Sequence, residues 1–479
     1  MKEQPDYSEL PAYLEAVRKI LVPFQHEVAD HFEVNGKCAL DSVGGTGKSL
    51  LALYGTFFRR PKTVIIVCSG SAMYTWQKEI LKWFKPWANS ISVIEGSTPA
   101  KRRKCWEKDA LFYICTYGSL RVDKSLALQK NADVLIADEY HRGGLKNPKS
   151  AATKVFKELE PYAKAIFPTS GSGIRKGPQD LWGLLNILNR KKFTSYWHFI
   201  GRYCVILETH FGKEIAGPRN MEEMLNLIRP NYIRVPRSIS DAQKPKLLRK
   251  VISLPLTPLQ KKHYQELNEE MVTLYKTSEG DFDMIASSTV IGVKIKLRKL
   301  LICPQMLGIP DLGSGLDAVL DQIANRDDPH TVIFTPFLDA IPIFKEYLQQ
   351  RLPTTKIMVL KGGDDWRVIK EVTDEFRANS NSLVICSLMF AQSFELETAS
   401  FCHFLGYDWD QGSNEQCEWR LQRMTADITR SITAYYYAYR GTVDDDILST
   451  LNTNTLNVQR TFASVDKLQA HLKGELNAS

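Results

Sequence analysis

The sequence predicts an α/β fold with two lobes, each built around a parallel β-sheet, and a helical insertion between them. Short apolar runs rich in β-branched residues alternate with helical stretches before residue 140 and again after residue 330. Alternation of this kind is typical of βαβ units, whose strands run in parallel. The chain has 479 residues, more than one hydrophobic core usually serves, which favours two or three domains.

The predicted strands fall into two groups separated by a long segment. They cover residues 63–67, 111–114 and 134–137 in the first group, and residues 331–334, 356–359, 382–385 and 399–405 in the second. Residues 175–310, between the groups, show helical periodicity, and residues 259–274 place apolar side chains near one helical face. We therefore expect a helical insertion between two α/β lobes.

Three domains follow from this pattern. They are an N-terminal lobe over residues 1–236 that includes part of the helical insertion from about residue 175, a linker with the rest of the insertion over residues 237–310, and a C-terminal lobe with a brace and tail over residues 311–479. The first boundary is polar, and Pro236 and Pro245 interrupt the periodicity there.

The composition favours some classes of protein and disfavours others. A formal net charge of +8 mildly favours a polyanionic partner, although the basic clusters at 101–104, 190–192 and 294–299 are of a kind more often found on solvated helix faces. The nine cysteines are scattered without a C-x-x-C pair, which indicates a reducing compartment and no zinc module. The N-terminus lacks a signal h-region, and no apolar stretch is long enough to span a bilayer. We expect a cytoplasmic protein, or a nuclear one in a eukaryote, that binds no membrane.

The strongest local signal is a glycine-rich segment between an apolar run and a helical run, formed by Gly45, Thr46, Gly47, Lys48 and Ser49. Glycines let backbone N–H groups close on phosphate oxygens at a helix N-terminus. Lys48 would neutralise the β- and γ-phosphates of ATP, and the Ser49 hydroxyl would hold Mg²⁺. Ser42 stands where the phosphate-binding consensus has its first glycine, so a glycine-rich turn that caps a helix is the alternative.

A second signal is an apolar strand that ends in two carboxylates, Asp138 and Glu139, followed by His141. Asp138 would reach Mg²⁺ directly or through water, and Glu139 would orient and deprotonate the attacking water. Adjacent acids at a strand end are otherwise ordinary loop residues. Because ATP hydrolysis needs both a phosphate-binding loop and such a pair, Lys48 and Glu139 are the catalytic candidates of the first lobe.

These motifs and others follow one another in an order that resembles superfamily-two helicases, in particular the Swi/Snf-type, DEAH-box-like DNA-dependent ATPases. Matching segments lie at residues 21–25, 45–49, 67–80, 116–117, 138–150, 170–182, 256–264, 297–304, 332–335, 360–362, 415–423 and 441–447. The resemblance covers nearly the whole chain. It implies two RecA-like lobes that bind ATP between them and close on it.

The resemblance assigns further roles residue by residue. Gln25 matches the glutamine of an L-x-P-[YF]-Q element that reads the adenine edge. Gln416, Arg420 and Arg423 match a Q-x-x-x-R-x-x-R helix, and their i, i+4, i+7 spacing places them on one helical face. A fixed guanidinium fork suits the charge that develops on a γ-phosphate, so Arg420 and Arg423 are expected to be catalytic and Gln416 to bind the nucleotide. A solvated amphipathic helix is the alternative.

The resemblance also implies an activity and a partner. Members of this branch hydrolyse ATP with Mg²⁺ to move along duplex DNA, usually without fully separating the strands, and segments 67–80 and 116–117 border the nucleic-acid track in them. The compact size is similar to that of prokaryotic or phage members, which implies work in DNA repair, replication or recombination. We expect a monomer.

This chain departs from the family pattern at several positions. Serines at 170 and 172 replace threonines, Gly173 replaces a proline, residues 390–396 lack the usual glycines, and residues 424–426 replace I-G-Q. These changes bear on coupling and movement more than on ATP binding. They leave open a nucleic-acid-binding clamp with impaired ATP turnover, and an RNA-directed helicase shares every catalytic residue.

Overall fold

The structure is a computed structural model, and it describes residues 5–451 except 89, 172, 175–176, 210–211, 277–281, 288, 327, 365, 389–393 and 425. Ser172, Thr425, the first part of segment 390–396 and the predicted tail from residue 452 lie outside the described residues. The chain divides into two compact units, the first ending at Ala242 and the second beginning at Gln243.

The first unit is built on a seven-stranded parallel sheet with the order β3-β4-β2-β5-β6-β1-β9. Its strands are β1 (Ala39–Asp41), β2 (Val64–Cys68), β3 (Ile91–Val93), β4 (Phe112–Thr116), β5 (Val134–Asp138), β6 (Ala165–Ser170) and β9 (Tyr232–Arg234), and a separate antiparallel hairpin is formed by β7 (Cys204–Thr209) and β8 (Gly212–Pro218). The central strand β2 is buried along its whole length, which is why its sequence is apolar throughout.

The described helices of the first unit mostly connect these strands. They are α1 (Leu10–Lys19), α2 (Pro23–Val34), α3 (Lys48–Phe58), α4 (Met73–Trp83), α5 (Pro99–Glu107), α6 (Tyr117–Val122), α7 (Lys124–Leu128), α8 (Ala151–Leu159), α9 (Trp182–Leu188), α10 (Tyr196–Tyr203), α11 (Met221–Ile228) and α12 (Arg237–Asp241). The carboxyl ends of parallel strands share one edge of the sheet, so the residues that follow β1, β5 and β6 lie together there.

The second unit is built on a six-stranded parallel sheet with the order β10-β17-β16-β13-β15-β14. Its strands are β10 (Lys246–Leu254), β13 (Thr331–Thr335), β14 (Lys356–Leu360), β15 (Ser382–Ser387), β16 (Phe401–Phe404) and β17 (Ser431–Tyr439), and an antiparallel hairpin is formed by β11 (Val272–Lys276) and β12 (Phe282–Ala286). Its described helices are α13 (Pro258–Glu270), α14 (Val290–Ile302), α15 (Gly315–Ala324), α16 (Ala340–Arg351), α17 (Trp366–Ala378) and α18 (Gln411–Leu421).

The predicted fold class is confirmed, since each unit is an α/β structure on a parallel sheet, as in RecA-like lobes. The segment expected to be helical is more mixed than its periodicity predicts, because it contains two hairpins as well as helices. The helix predicted over residues 259–274 ends at Glu270, since Met271 adopts a left-handed φ of 58° and β11 follows.

The polar segment from residue 237, which was predicted as a linker, contains α12 and β10. Strand β10 is an edge strand of the second sheet. Within the part of the chain that the structure describes, we find no helix that combines the length and hydrophobicity needed to cross a bilayer. All nine cysteines are free thiols.

Candidate functional site

The glycine-rich loop connects the end of β1 to the first turn of α3. Gly45 and Gly47 have φ values of 75° and 80°, which is the left-handed region where a side chain would be strained. Lys48 and Ser49 are the first two residues of α3, so the loop ends at a helix N-terminus, where backbone N–H groups point out of the helix. The backbone therefore has the form of an anion-binding loop.

The serine at the first consensus position is accommodated by hydrogen bonds within the loop. The Ser42 hydroxyl donates to Thr46 Oγ1 at 2.8 Å, and the Thr46 hydroxyl donates to the Val43 carbonyl at 2.9 Å. Lys48 Nζ donates to the Ser42 and Val43 carbonyls at 2.9 and 3.1 Å. Ser42 therefore stabilises the loop, and Lys48 is held across it.

Gln25 packs directly against this loop. Its Nε2 donates to the Thr46 carbonyl at 3.0 Å, and its Oε1 accepts from the Val22 backbone N–H at 3.1 Å. A Cβ at position 47 would lie 2.6 Å from Nε2, so only glycine permits this contact. Each amide atom keeps a second hydrogen-bonding position, which is what an adenine ligand would use.

Asp138 is the last residue of β5 and is held by three donors. Trp76 Nε1 donates to Oδ2 and the Thr169 hydroxyl to Oδ1, both at 3.0 Å. The Tyr117 hydroxyl donates to the Asp138 backbone carbonyl at 2.9 Å. The carboxylate therefore has a defined orientation at the edge of the sheet.

Glu139 has a left-handed backbone, with a φ of 46°. Such a conformation costs a non-glycine residue energy and is concentrated at functional sites. Burial raises the pKa of the Glu139 carboxyl, and the positive charge of Lys48 opposes that rise.

His141 connects Glu139 to the end of β6. Its Nδ1 lies 2.7 Å from Ser170 Oγ and 3.3 Å from Glu139 Oε2, while the Gly171 backbone N–H lies 3.5 Å from the same Glu139 oxygen. Ser170 replaces a family threonine, yet its hydroxyl still bonds to His141. This departure therefore preserves the hydrogen-bonding group.

The glycine at 173, where the family has a proline, is explained by its neighbour Tyr140. A Cβ at this position would lie 2.0 Å from the Tyr140 hydroxyl oxygen. The Gly173 backbone N–H also points to Asp41 Oδ1 at 3.4 Å, and a proline has no such donor. Tyr140 fills the space that a larger residue would need.

The residues present fit ATP with Mg²⁺. The loop offers left-handed glycines, a helix N-terminus and a half-buried lysine, and Asp138 and Ser49 supply oxygen ligands of the kind that Mg²⁺ prefers. Among the described residues, no group of three or more His, Cys, Asp or Glu side chains could hold a metal by itself. An ion held by Ser49 and Asp138 would keep its other coordination positions for phosphate oxygens and water.

The second unit carries Gln416 and Arg420 on α18, whereas Arg423 follows the last residue of that helix, Leu421. The predicted single helical face therefore does not extend to Arg423. Arg420 Nη1 and Arg423 Nη2 donate to the same carbonyl, that of Phe394, at 3.0 and 3.4 Å. Both arginines thus hold the described end of segment 390–396.

Gln416 is buried, and neither of its amide atoms has a hydrogen-bond partner within the described residues. A buried amide without partners is costly, which favours a partner other than the described side chains. Gln416 therefore fits a ligand-binding role better than the solvated helix that was its alternative.

Some residues around the site were not predicted. Arg249 on β10 makes a bidentate ion pair with Glu418 on α18, with both N···O distances at 2.6 Å, and the Tyr436 hydroxyl donates to Glu418 Oε1 at 2.9 Å. Partial desolvation disfavours the charge of Arg249, but its interactions with Glu418, Tyr436 and Glu415 together raise its pKa. The contacts of Trp76, Tyr117 and Thr169 with Asp138 were not predicted either, because no local pattern marks such long-range pairs.

These features define a class of protein with two α/β units, a phosphate-binding loop and a D-E-x-H carboxylate pair. Residues 4–306 match the SNF2-related domain, which is more than half of the chain. The chain belongs to this family, and its predicted resemblance to Swi/Snf-type helicases is confirmed. The family implies the use of ATP.

Individual relatives are distant and longer. The chain is 24% identical over 449 residues to the DNA annealing helicase and endonuclease ZRANB3 of Homo sapiens, a match that covers 91% of this chain and 40% of that protein. It is 23% identical to chromodomain-helicase-DNA-binding protein 1 of Gallus gallus, with 94% of this chain and 27% of that protein covered. The chain thus spans about two fifths of the length of the ZRANB3 relatives.

Among solved structures, the chain is similar to the Sulfolobus solfataricus SWI2/SNF2 ATPase core in complex with dsDNA. The sequence identity is 18%, the match covers 93% of this chain and 94% of the other, and the TM-score is 0.42.

Proposed function

We propose that this protein is a DNA-dependent ATPase that moves along duplex DNA, in DNA repair, replication or recombination. The observation that carries the proposal is that the loop with Lys48 follows β1 and the Asp138–Glu139 pair lies at the end of β5, at the same edge of one parallel sheet, with Glu139 in a left-handed backbone. A phosphate-binding lysine beside a metal carboxylate and a base is the arrangement that phosphoryl transfer to water requires.

Each residue has a defined part in this proposal. The loop from Gly45 to Lys48 binds the phosphates through backbone N–H groups and the Lys48 ammonium. Gln25 binds the adenine edge and fixes the loop beneath it. Glu139 orients the attacking water and takes its proton.

A magnesium ion held by Ser49 and Asp138 would supply positive charge against the phosphate oxygens. Gln416 remains the predicted nucleotide ligand of the second unit, and Arg420 and Arg423 remain the arginines predicted to stabilise the charge that develops on the γ-phosphate.

The choice of DNA rests on relatives rather than on geometry. The names of ZRANB3 and of chromodomain-helicase-DNA-binding protein 1 refer to DNA, and the formal net charge of +8 on this chain is compatible with a polyanion. Binding through phosphates would make the affinity fall steeply with salt. The annealing and endonuclease activities in the ZRANB3 name are not carried over to this chain.

The proposal is tested by steady-state ATP hydrolysis without nucleic acid and with duplex DNA, single-stranded DNA or RNA. We expect duplex DNA to stimulate turnover most and Lys48→Ala to abolish it. Turnover that persists in Lys48→Ala would contradict the site. Nucleic-acid binding without turnover under any condition would instead identify a clamp, and strongest stimulation by RNA would identify an RNA-directed motor.

A further inference from the structure

Two aromatic side chains from different helices fix Asp138. Trp76, on α4, donates from its indole Nε1 to the carboxylate oxygen Oδ2 at 3.0 Å. Tyr117, the first residue of α6, donates from its hydroxyl to the Asp138 backbone carbonyl at 2.9 Å. The Thr169 hydroxyl occupies the second carboxylate oxygen. Each of the three oxygen atoms of Asp138 therefore has its own donor.

The surroundings leave these donors little freedom. Trp76 is 2% exposed, so its indole N–H depends on a protein partner rather than on water. The ring of Tyr117 packs against Gly143, where a Cβ would lie 2.2 Å from two ring carbons. Both contacts lie within the first unit, where Trp76 is buried and Tyr117 is half-buried.

The Trp76 and Tyr117 contacts hold different atoms of Asp138 and therefore have different effects on the site. The indole and the Thr169 hydroxyl set the rotation of the Asp138 carboxylate, which keeps further lone pairs for a metal or for metal-bound water. The Tyr117 hydroxyl holds the peptide that joins Asp138 to Glu139, directly before the left-handed φ of 46°. That peptide determines where the Glu139 side chain points.

We infer that Trp76 and Tyr117 are positioning residues for the carboxylate pair, Trp76 for the metal carboxylate Asp138 and Tyr117 for the base Glu139. The inference rests on the proposed function and deepens it, because it assigns two residues of the same site. Neither side chain would touch the nucleotide. Each acts through a single hydrogen bond, so removing one donor atom is enough to test it.

Trp76→Phe is tested by binding of a fluorescent ADP with Mg²⁺ and with EDTA. We expect the affinity gained from Mg²⁺ to fall about tenfold, a change of roughly 1.4 kcal/mol that suits one hydrogen bond to a charged group, while the affinity in EDTA stays the same. The matched control is Trp83→Phe on the same helix, whose indole donates at 2.9 Å to the surface carboxylate of Glu79. It should change neither affinity.

Tyr117→Phe is tested by a different measurement. We expect kcat for ATP hydrolysis to fall about tenfold, because the orientation of the Glu139 carboxylate is altered. KM and the magnesium-dependent ADP affinity should stay unchanged. The matched control is Tyr203→Phe in the same unit, whose hydroxyl donates to Glu223 Oε1 at 2.9 Å. A loss of kcat no greater than in the control would overturn the role of Tyr117.

Asp138→Asn separates failure of this inference from failure of the proposed function. If Asp138→Asn leaves the magnesium-dependent affinity intact, the metal assignment itself is wrong. If Asp138→Asn abolishes it while Trp76→Phe behaves like Trp83→Phe, the role of Trp76 is overturned. Should Trp76→Phe unfold below the assay temperature, Thr169→Val removes the other donor to the same carboxylate with little change in shape and carries the same two outcomes.

Discussion

Glu139 combines a left-handed backbone with a carboxyl group whose pKa is raised by burial. A general base must be ionised to accept a proton. Because the pKa is raised, the ionised fraction of Glu139 declines at a higher pH than it would for an exposed glutamate. Lys48 and Arg142 limit this rise through their positive charges.

The pH dependence of hydrolysis tests whether Glu139 is the titrating base. We expect kcat to fall on the acidic side at a pH above the ordinary glutamate value, and Arg142→Gln to move that fall to still higher pH by removing a charge that favours the ionised form. Arg103→Gln, an exposed arginine on α5, is the control and should leave the profile unchanged. An acidic limb unaffected by Arg142→Gln would show that Glu139 is not the titrating base.

At Gly173, the neighbouring Tyr140 side chain leaves no space for a larger residue. Gly173→Ala places a methyl group against the Tyr140 hydroxyl and should lower the free energy of unfolding by about 1–3 kcal/mol, as overpacking of a filled interior does. Gly201→Ala on α10 is the control, since nothing lies within 4 Å of its Cβ and alanine favours a helix. Chemical denaturation measures both. Equal free energies of unfolding for the two variants would show that the Tyr140 side chain moves aside without destabilising the protein.

At the scale of elements, α18 is anchored to the edge strand β10 through Arg249, which pairs with Glu418 and, at 3.9 Å, with Glu415. Glu418 is fully buried on α18, and Arg249 reaches it from β10 with two hydrogen bonds. A carboxylate in such a place is stable only while its partner is present. The pair therefore holds the helix that carries Gln416 and Arg420.

Arg249→Met should lower the free energy of unfolding of the second unit by about 2–4 kcal/mol, because it leaves the Glu418 carboxylate buried without its counter-ion. Arg440→Met breaks an exposed pair with Asp445 and should cost less than about 1 kcal/mol. Thermal denaturation with a probe in the second unit compares them. If both variants lose less than about 1 kcal/mol of unfolding free energy, Glu418 takes up a proton or a water molecule without destabilising the unit.

Elements that are apolar throughout were predictable, and polar ones were not. Residues 134–137 were predicted as a strand and lie within β5, because strands buried on both faces require apolar side chains. The edge strand β10 is exposed along most of its length, so its lysines and arginine resembled a linker. The helix end at Glu270 was missed because Met271 takes a left-handed backbone without being a glycine.

The candidate site shows the same division. Lys48, Asp138 and Glu139 lie in short motifs whose spacing is local, so the sequence alone predicts them. The partners of Asp138 come from α4, α6 and β6, and Trp76 is 62 positions away along the chain. Only the packing of the sheet and its helices brings such donors together.

At the scale of the whole molecule, turnover is predicted to need both units, since the phosphate-binding loop belongs to the first and Arg423 to the second. Arg423→Ala should abolish hydrolysis and leave nucleotide affinity largely intact, because its guanidinium is assigned to charge that develops only during the reaction. Nucleotide binding and single-turnover hydrolysis measure the two effects. Equal loss of both would point to a structural arginine that contacts the Phe394 carbonyl and Glu395.

The proposed function requires that duplex DNA drives ATP hydrolysis at the Asp138–Glu139 pair. This is measured by the rate of phosphate release at saturating ATP as duplex DNA is added to the wild-type protein and to Glu139→Gln. We expect the wild-type rate to rise with DNA to a plateau, while Glu139→Gln binds ATP and DNA normally and releases phosphate at least about a hundredfold more slowly. A wild-type rate indifferent to DNA, or a Glu139→Gln rate equal to the wild-type rate, would rule this function out.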